Sequence, residues 1–204
     1  MNLKYAILSI LIVCLSFQMV YSQDIAQTDK QDLYRRHSIG SSLWLVGNLA
    51  PGDPPNFFQL NYGYRLTRRE VIIVEAITWT YYEPEGTYGS SDEKYPGKIR
   101  SSGVGIGYQR FFWKNLYSSV QANPFLQQYY DSDDKRIQNG FQLFLQLRWG
   151  YRFELFEDRW FIEPSLAFNY WPVNTNMPES FKDVERETPD YFLFEPGLHF
   201  GYTF

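Results

Sequence analysis

The stretch GFQLFLQLRWGYRF, residues 140–153, alternates almost without fault. Phe141, Leu143, Leu145, Leu147, Trp149, Tyr151 and Phe153 take one parity, and Gln142, Gln146, Arg148, Gly150 and Arg152 take the other. A helix turns about 100° per residue and would scatter these side chains, whereas a strand separates them onto two faces. Phe144, an aromatic in the polar row, is the one exception.

The same period recurs on both sides. Phe58, Leu60, Tyr62, Tyr64 and Leu66 oppose Gln59, Asn61, Gly63 and Arg65; Val104, Ile106 and Tyr108 oppose Gly103, Gly105, Gly107 and Gln109. Leu116, Val120 and Leu126 oppose Tyr117, Gln121, Asn123 and Gln127. Trp160, Ile162, Leu166, Phe168 and Tyr170 oppose Glu163, Ser165 and Asn169. Residues 38–50 are the least regular of these segments, and in 70–82 the row containing Glu75 and Trp79 has no obvious side. With 191–204 the count is about eight strands. Short turns (TRRE, WKN, ELFEDR) alternate with longer polar connections, as in an up-and-down meander whose two ends differ.

Residues 1–22 read as a cleaved signal peptide, with Lys4 ahead of an apolar run from Ala6 to Val20 and small residues before a cut after Ser22. An uncleaved anchor is the alternative, though the run is short of the ~20 residues of a spanning helix. Cys14 lies inside this run between Val13 and further apolar residues, which argues against lipidation. The mature chain then has no cysteine, so neither disulfides nor thiolate metal sites are expected. Residues 23–37 form a polar periplasmic leader, and 38–204 the folded domain. The net charge of −4 gives a nucleic-acid partner no electrostatic support.

Aromatics make up 20% of the chain, yet no long apolar run follows Ser22. Alternation reconciles the two, and leaves open which row faces inward. A soluble barrel places its apolar row inside; a membrane barrel places it outside. Four features favour the second. Lys30, Lys94, Lys98, Lys114, Lys135 and Lys182 avoid the strand middles. The polar rows are rich in Gly, Gln, Asn and Ser. Many strands reach the ~9–11 residues that a tilted strand needs to cross a bilayer. Tyr and Trp gather toward strand ends, where interfacial girdles form. The expected fold is therefore all-β: an up-and-down antiparallel transmembrane β-barrel of about eight strands.

The chain ends FLFEPGLHFGYTF, with Phe192, Phe194, Leu198, Phe200, Tyr202 and Phe204 spaced by even numbers. Leu198, Phe200, Tyr202 and Phe204 resemble the terminal signal by which bacterial outer-membrane barrels are recognised for insertion. From Ser38 to Phe204 the chain is similar to the small eight-stranded outer-membrane barrels of the OmpA/OmpX-like group. The resemblance implies a bacterial outer-membrane location, contact with lipid and lipopolysaccharide, and passage through the barrel-assembly machinery. It covers architecture and the terminal signal, not a defined activity.

The polar rows bring Glu75, Glu163, Glu195, His199, Arg65, Arg148 and Arg152 toward one interior, and counting across the turn places Arg148 and Arg152 diagonal to Glu163. Charges in a tight interior require pairing, so a side-chain-plugged lumen is expected, with a structural or surface-interaction role. The alternative is a narrow channel or small-ligand transporter using this network, and the third reading is a lipid-modifying enzyme. No catalytic residue, metal site or cofactor is expected, because His37 and His199 lie far from the long loops and no nucleophile–base pair is legible. Carboxylates clustered at Asp92 and Glu93, at 131–134 and at 179–187 read as solvated loops. An echo, FIEPSLAFNY (161–170) and LFEPGLHFGY (193–202) with ANPFL (122–126) as a weaker relative, places a proline in each apolar row. Each is expected to mark a bulge or weakened pairing, since proline lacks the ladder donor.

Deleting Phe204 is expected to leave export across the inner membrane intact and to block insertion. The variant should accumulate in the periplasm and lose the heat-modifiable gel mobility of a closed barrel; protease resistance and outer-membrane fractionation of the deletion would contradict this.

Overall fold

A computed structural model describes residues 35–51, 54–85, 87, 94–186 and 188–204. The expected signal peptide, nearly all of the polar leader, and Asp92 and Glu93 lie outside these residues. The strands are β1 (His37–Ser42), β2 (Phe58–Arg65), β3 (Glu70–Tyr81), β4 (Gly97–Trp113), β5 (Leu116–Asp131), β6 (Arg136–Tyr151), β7 (Phe153–Leu155), β8 (Trp160–Thr175) and β9 (Tyr191–Thr203). Each pairs antiparallel with its sequence neighbour or its ring neighbour, and β9 returns to β1. β6 and β7 are two halves of one stave interrupted at Arg152, and both pair with β8. The sheet is thus an eight-stave up-and-down ring.

Ring closure uses the last residues of the chain. Ile39 pairs with Tyr202 and Ser41 with Phe200. Beyond β9 itself, the Phe204 amide donates to the His37 carbonyl at 2.7 Å and the His37 amide donates to the Phe204 carbonyl at 3.1 Å. His37, read from sequence as part of the leader, therefore opens β1. Its ring stacks on Phe204, centroids 5.7 Å apart.

The face assignments follow the alternation, with informative departures. Val104, Ile106 and Leu126 point away from the lumen and are 62%, 61% and 66% exposed, while Gln109, Asn123, Gln127 and Asn169 are buried inside. In the ambiguous segment the pairing and burial put Glu75 inside, with Val74 and Ile72 outside. The irregular 38–50 segment is not one strand. β1 stops at Ser42, whose hydroxyl accepts from the Trp44 amide at 3.2 Å and starts a 3₁₀ segment over Leu43–Leu49. Four consecutive apolar residues, Leu43 to Val46, break the period of two where the strand ends.

The proline echo weakens pairing as expected, by gaps more than by bulges. Opposite Pro124, the β4–β5 ladder skips Val104 and Gly105 and resumes in the same register. Opposite Pro164, the stave breaks between β6 and β7, again without a shift. Only Pro196 adjoins a true bulge, where Phe194 adopts φ 93° and the register with β8 slips. This slip changes the parity upstream, so Leu193 lies outside, and Phe192, paired with Asn169, belongs to the lumen side.

The two ends differ. Turns at 66–69, 114–115 and 156–159 share one end with the barrel's first and last strand residues, and connections at 43–57, 82–96, 132–135 and 176–190 share the other. β4, β5, β6 and β8 run 16 or 17 residues, against 6 and 8 for β1 and β2, so the loop end is a high wall on one side only. The connection at 132–135 is a tight turn, shorter than its polar sequence suggests: Asp131 Oδ1 accepts from the Asp133 and Lys135 amides.

The last loop is not simply solvated either. Helix α1 (Glu179–Glu185) is docked through Phe181, fully buried against Tyr95 and Tyr129 with centroids 5.0 and 5.4 Å away, beside Ile99 and Met177. The Tyr95 hydroxyl donates a hydrogen bond to Glu185, while Glu179 and Asp183 pair with Lys182 and Arg186 at the surface. Phe181→Ala removes about 3–5 kcal/mol of packing, more than seven residues of helix can replace unaided. Trypsin is expected to cut after Lys182 and Arg186 several-fold faster in this variant, with the heat-modifiable mobility of the barrel unchanged.

Candidate functional site

Inward side chains divide the lumen into two halves of different character. At the turn end it is filled. Val71, Phe111 and Tyr117 form a buried cluster, with Phe161 close by. Between Phe111 and Phe161 lies the Arg152 guanidinium, its carbon 5.1 and 4.2 Å from the two ring centroids. Arg152 Nε donates to Glu163 Oε1 at 2.6 Å, and both side chains are more than nine-tenths buried. Gln109 donates to the same carboxylate at 3.5 Å. Space here is down to about 50 Å³.

Toward the loop end the lumen widens into a cavity of about 650 Å³. The expected side-chain plug therefore occupies only part of the barrel. Small residues contribute to this wall: Ala167 on β8 and Gly197 on β9 both line it. Gly105 is required by what stands opposite it, since a Cβ there would collide with Asn123 Oδ1.

The seven network residues do not form one cluster. Arg152 and Glu163 pair in the filled half. Arg65 sits at the turn-end rim, 4.0 Å from Glu154. Arg148 does not reach Glu163 as its diagonal position suggested; it turns toward the loop end, with Nη1 2.5 Å from His199 Nε2 and Nη2 donating to Gln146 Oε1 at 2.6 Å. Glu75 accepts from Gln59 at 2.5 Å and from Asn123 at 3.2 Å. Glu195 accepts from Asn169, which in turn accepts from Gln146 at 2.9 Å. Glu75, Glu195, Arg148 and His199 all line the cavity.

Sequence reading missed the aromatic part of this cavity. Phe144, the misfit of the opening stretch, stacks on Trp171 at 5.8 Å with an interplanar angle of 3°, and Phe125 meets both Phe144 and Trp79 edge-on. An aromatic in a polar row was the available signal. Glu85 was missed as well. It accepts from Gln142 at 2.8 Å, and burial, reinforced by the charges of Glu185 and Glu195, pushes its carboxyl up to about 8.

Among the described residues, no group of three His, Cys, Asp or Glu side chains is arranged to hold a metal ion. No family model and no curated protein matches the chain. Among solved structures, a major outer membrane protein from Thermus thermophilus superposes with a TM-score of 0.42 at 13% identity, covering 83% of this chain and 98% of that one.

Breaking the buried pair should cost far more than replacing it. Arg152→Met alone strands the Glu163 carboxylate and is expected to destabilise by about 3–5 kcal/mol, whereas Arg152→Met with Glu163→Leu is expected to recover most of the loss. Urea titration of the refolded barrel in detergent, with the double-mutant cycle, measures both.

Proposed function

We propose that this chain is an integral bacterial outer-membrane barrel, shut against through-flow at its turn end and open as a binding vestibule at its loop end. In this reading it acts by surface interaction or ligand capture and not by catalysis. The observation that carries it is the charge pattern of the outer surface. On β4 the outward row runs Lys98, Arg100, Ser102, Val104, Ile106, Tyr108, Arg110, with nine residues, 101–109, between the two arginines. That is the span a tilted strand needs across hydrocarbon. At one edge of this stretch Lys98 pairs with Asp134 at 2.5 Å; at the other Arg110 lies 3.6 Å from Glu70, which also accepts from Tyr108 at 2.7 Å.

The belt continues around the ring through Ile162, Leu166, Leu198 and Phe200, all more than one-third exposed. A water-soluble monomer rarely shows a contiguous apolar surface of this kind. Aromatic pairs such as Trp160–Tyr202, 5.2 Å apart, sit at its turn-end edge as interfacial side chains do. Lipid and lipopolysaccharide are then its immediate surroundings, with the turns facing the periplasm, the loops outside, and the barrel-assembly machinery as a transient partner. The filled half favours the closed barrel over the second reading, a narrow channel, since the Arg152–Glu163 pair stands across the path.

Leu145→Arg tests the orientation. Its charge would face hydrocarbon and is expected to cost roughly 2–4 kcal/mol in lipid vesicles, while Gln146→Leu, facing the lumen, is expected to leave insertion intact. In planar bilayers the wild-type protein is expected to give no conductance steps; steady steps would favour the channel.

A further inference from the structure

We propose that the vestibule is a receptor site for an apolar organic cation, an aryl or alkyl amine or a quaternary ammonium compound. Two features meet there. Trp79, Phe125, Phe144 and Trp171 line one part of the cavity. Glu75, Glu85 and Glu195 line another, and among the described residues their hydrogen-bond donors are the amides of Gln59, Asn123, Gln142 and Asn169, with no ammonium or guanidinium group among them.

Carboxyl groups drawn out of water and hydrogen-bonded by neutral amides incur a desolvation cost on ionising, as the upward shift at Glu85 reflects, and a cation seated beside them offsets that cost. Aromatic faces add attraction for the same charge and bury the apolar body that carries it. Of the basic groups on the lining, Lys94 is an exposed loop residue, and Arg148, hydrogen-bonded to Gln146 and His199, offsets part of the charge of Glu195. An anion would still meet three carboxyl groups against one inward guanidinium. One donor is also uncommitted: Trp171 is 2% exposed, and its indole N–H has no hydrogen-bond partner among the described residues. A ligand with an acceptor atom beside its apolar group would satisfy it. A cavity of about 650 Å³ is in the range of small-molecule sites.

The proposal rests on the vestibule reading above, but not on the barrel being closed to ions. Binding is read on the folded barrel in a non-ionic polyoxyethylene detergent, so conductance and binding can fail separately. The probes are phenethylamine and benzyltrimethylammonium, set against the neutral phenethyl alcohol, the anionic phenylacetate and the neutral disaccharide maltose. Calorimetry and quenching of tryptophan fluorescence are expected to show saturable one-to-one binding of both cations. The alcohol should bind at least tenfold more weakly, and phenylacetate and maltose not measurably. Glu195→Gln and, independently, the loop variant Glu85→Gln are expected to weaken cation binding at least fivefold while keeping heat-modifiable mobility. Should Glu195→Gln fail to fold, Glu85→Gln alone decides. Equal binding of amine and alcohol, tighter binding of phenylacetate or maltose, no binding of either cation, or cation binding unchanged by a folded Glu85→Gln variant overturns the proposal.

Discussion

The structure depends on the closing of its backbone hydrogen bonds. A sheet with an apolar outer face has no stable open form in lipid, because each unpaired N–H or C=O there costs several kcal/mol. Closure is made by β1 and β9, the first strand and the last, and is continued by the reciprocal bonds between His37 and Phe204. Phe204 contributes to this closure twice: its backbone is a ladder partner, and its aromatic side chain packs on His37 and Tyr202.

Closure on eight staves then sets the problem of the interior. A ring of this size is just wide enough to be filled by side chains, and whether it is filled depends on their sizes. At the turn end Phe111, Tyr117, Phe161 and Arg152 are large enough to meet across the axis, and the Arg152–Glu163 pair is tolerated because aromatic faces and Gln109 complete its surroundings. At the loop end glycine and alanine replace them on part of the wall, and the aromatics that remain stand around the space instead of closing it. One barrel thus has a core in one half and a chamber in the other.

The prolines illustrate how a ladder absorbs a missing donor. Pro124 and Pro164 each leave a gap that the neighbouring strand spans without losing register. Near Pro196 the register does slip, and the bulge at Phe194 brings Glu195 opposite Ala167, on the chamber wall. The same local sequence therefore had two structural outcomes, decided by the pairing partner.

By itself the sequence determined most of the strands, their approximate number, and the two faces of each regular strand. These follow from a period of two, which is a local property and holds until a bulge such as that at Phe194 resets it. It assigned Glu75, Glu163, Glu195, His199, Arg65, Arg148 and Arg152 to the inward rows. Only the tertiary structure decided which of them meet, because parity gives the side of a strand and not the height along the barrel or the residue across it. Strand stagger, the slip at Phe194 and the shift between Leu143 and Leu145 set those heights, so that Arg152 reaches Glu163 while Arg148 turns to His199. The chamber was hidden for the same reason. Small residues on its wall, Ala167 on β8 and Gly197 on β9, come to share one space with Trp79, Phe125, Phe144 and Trp171 only when the ring has closed.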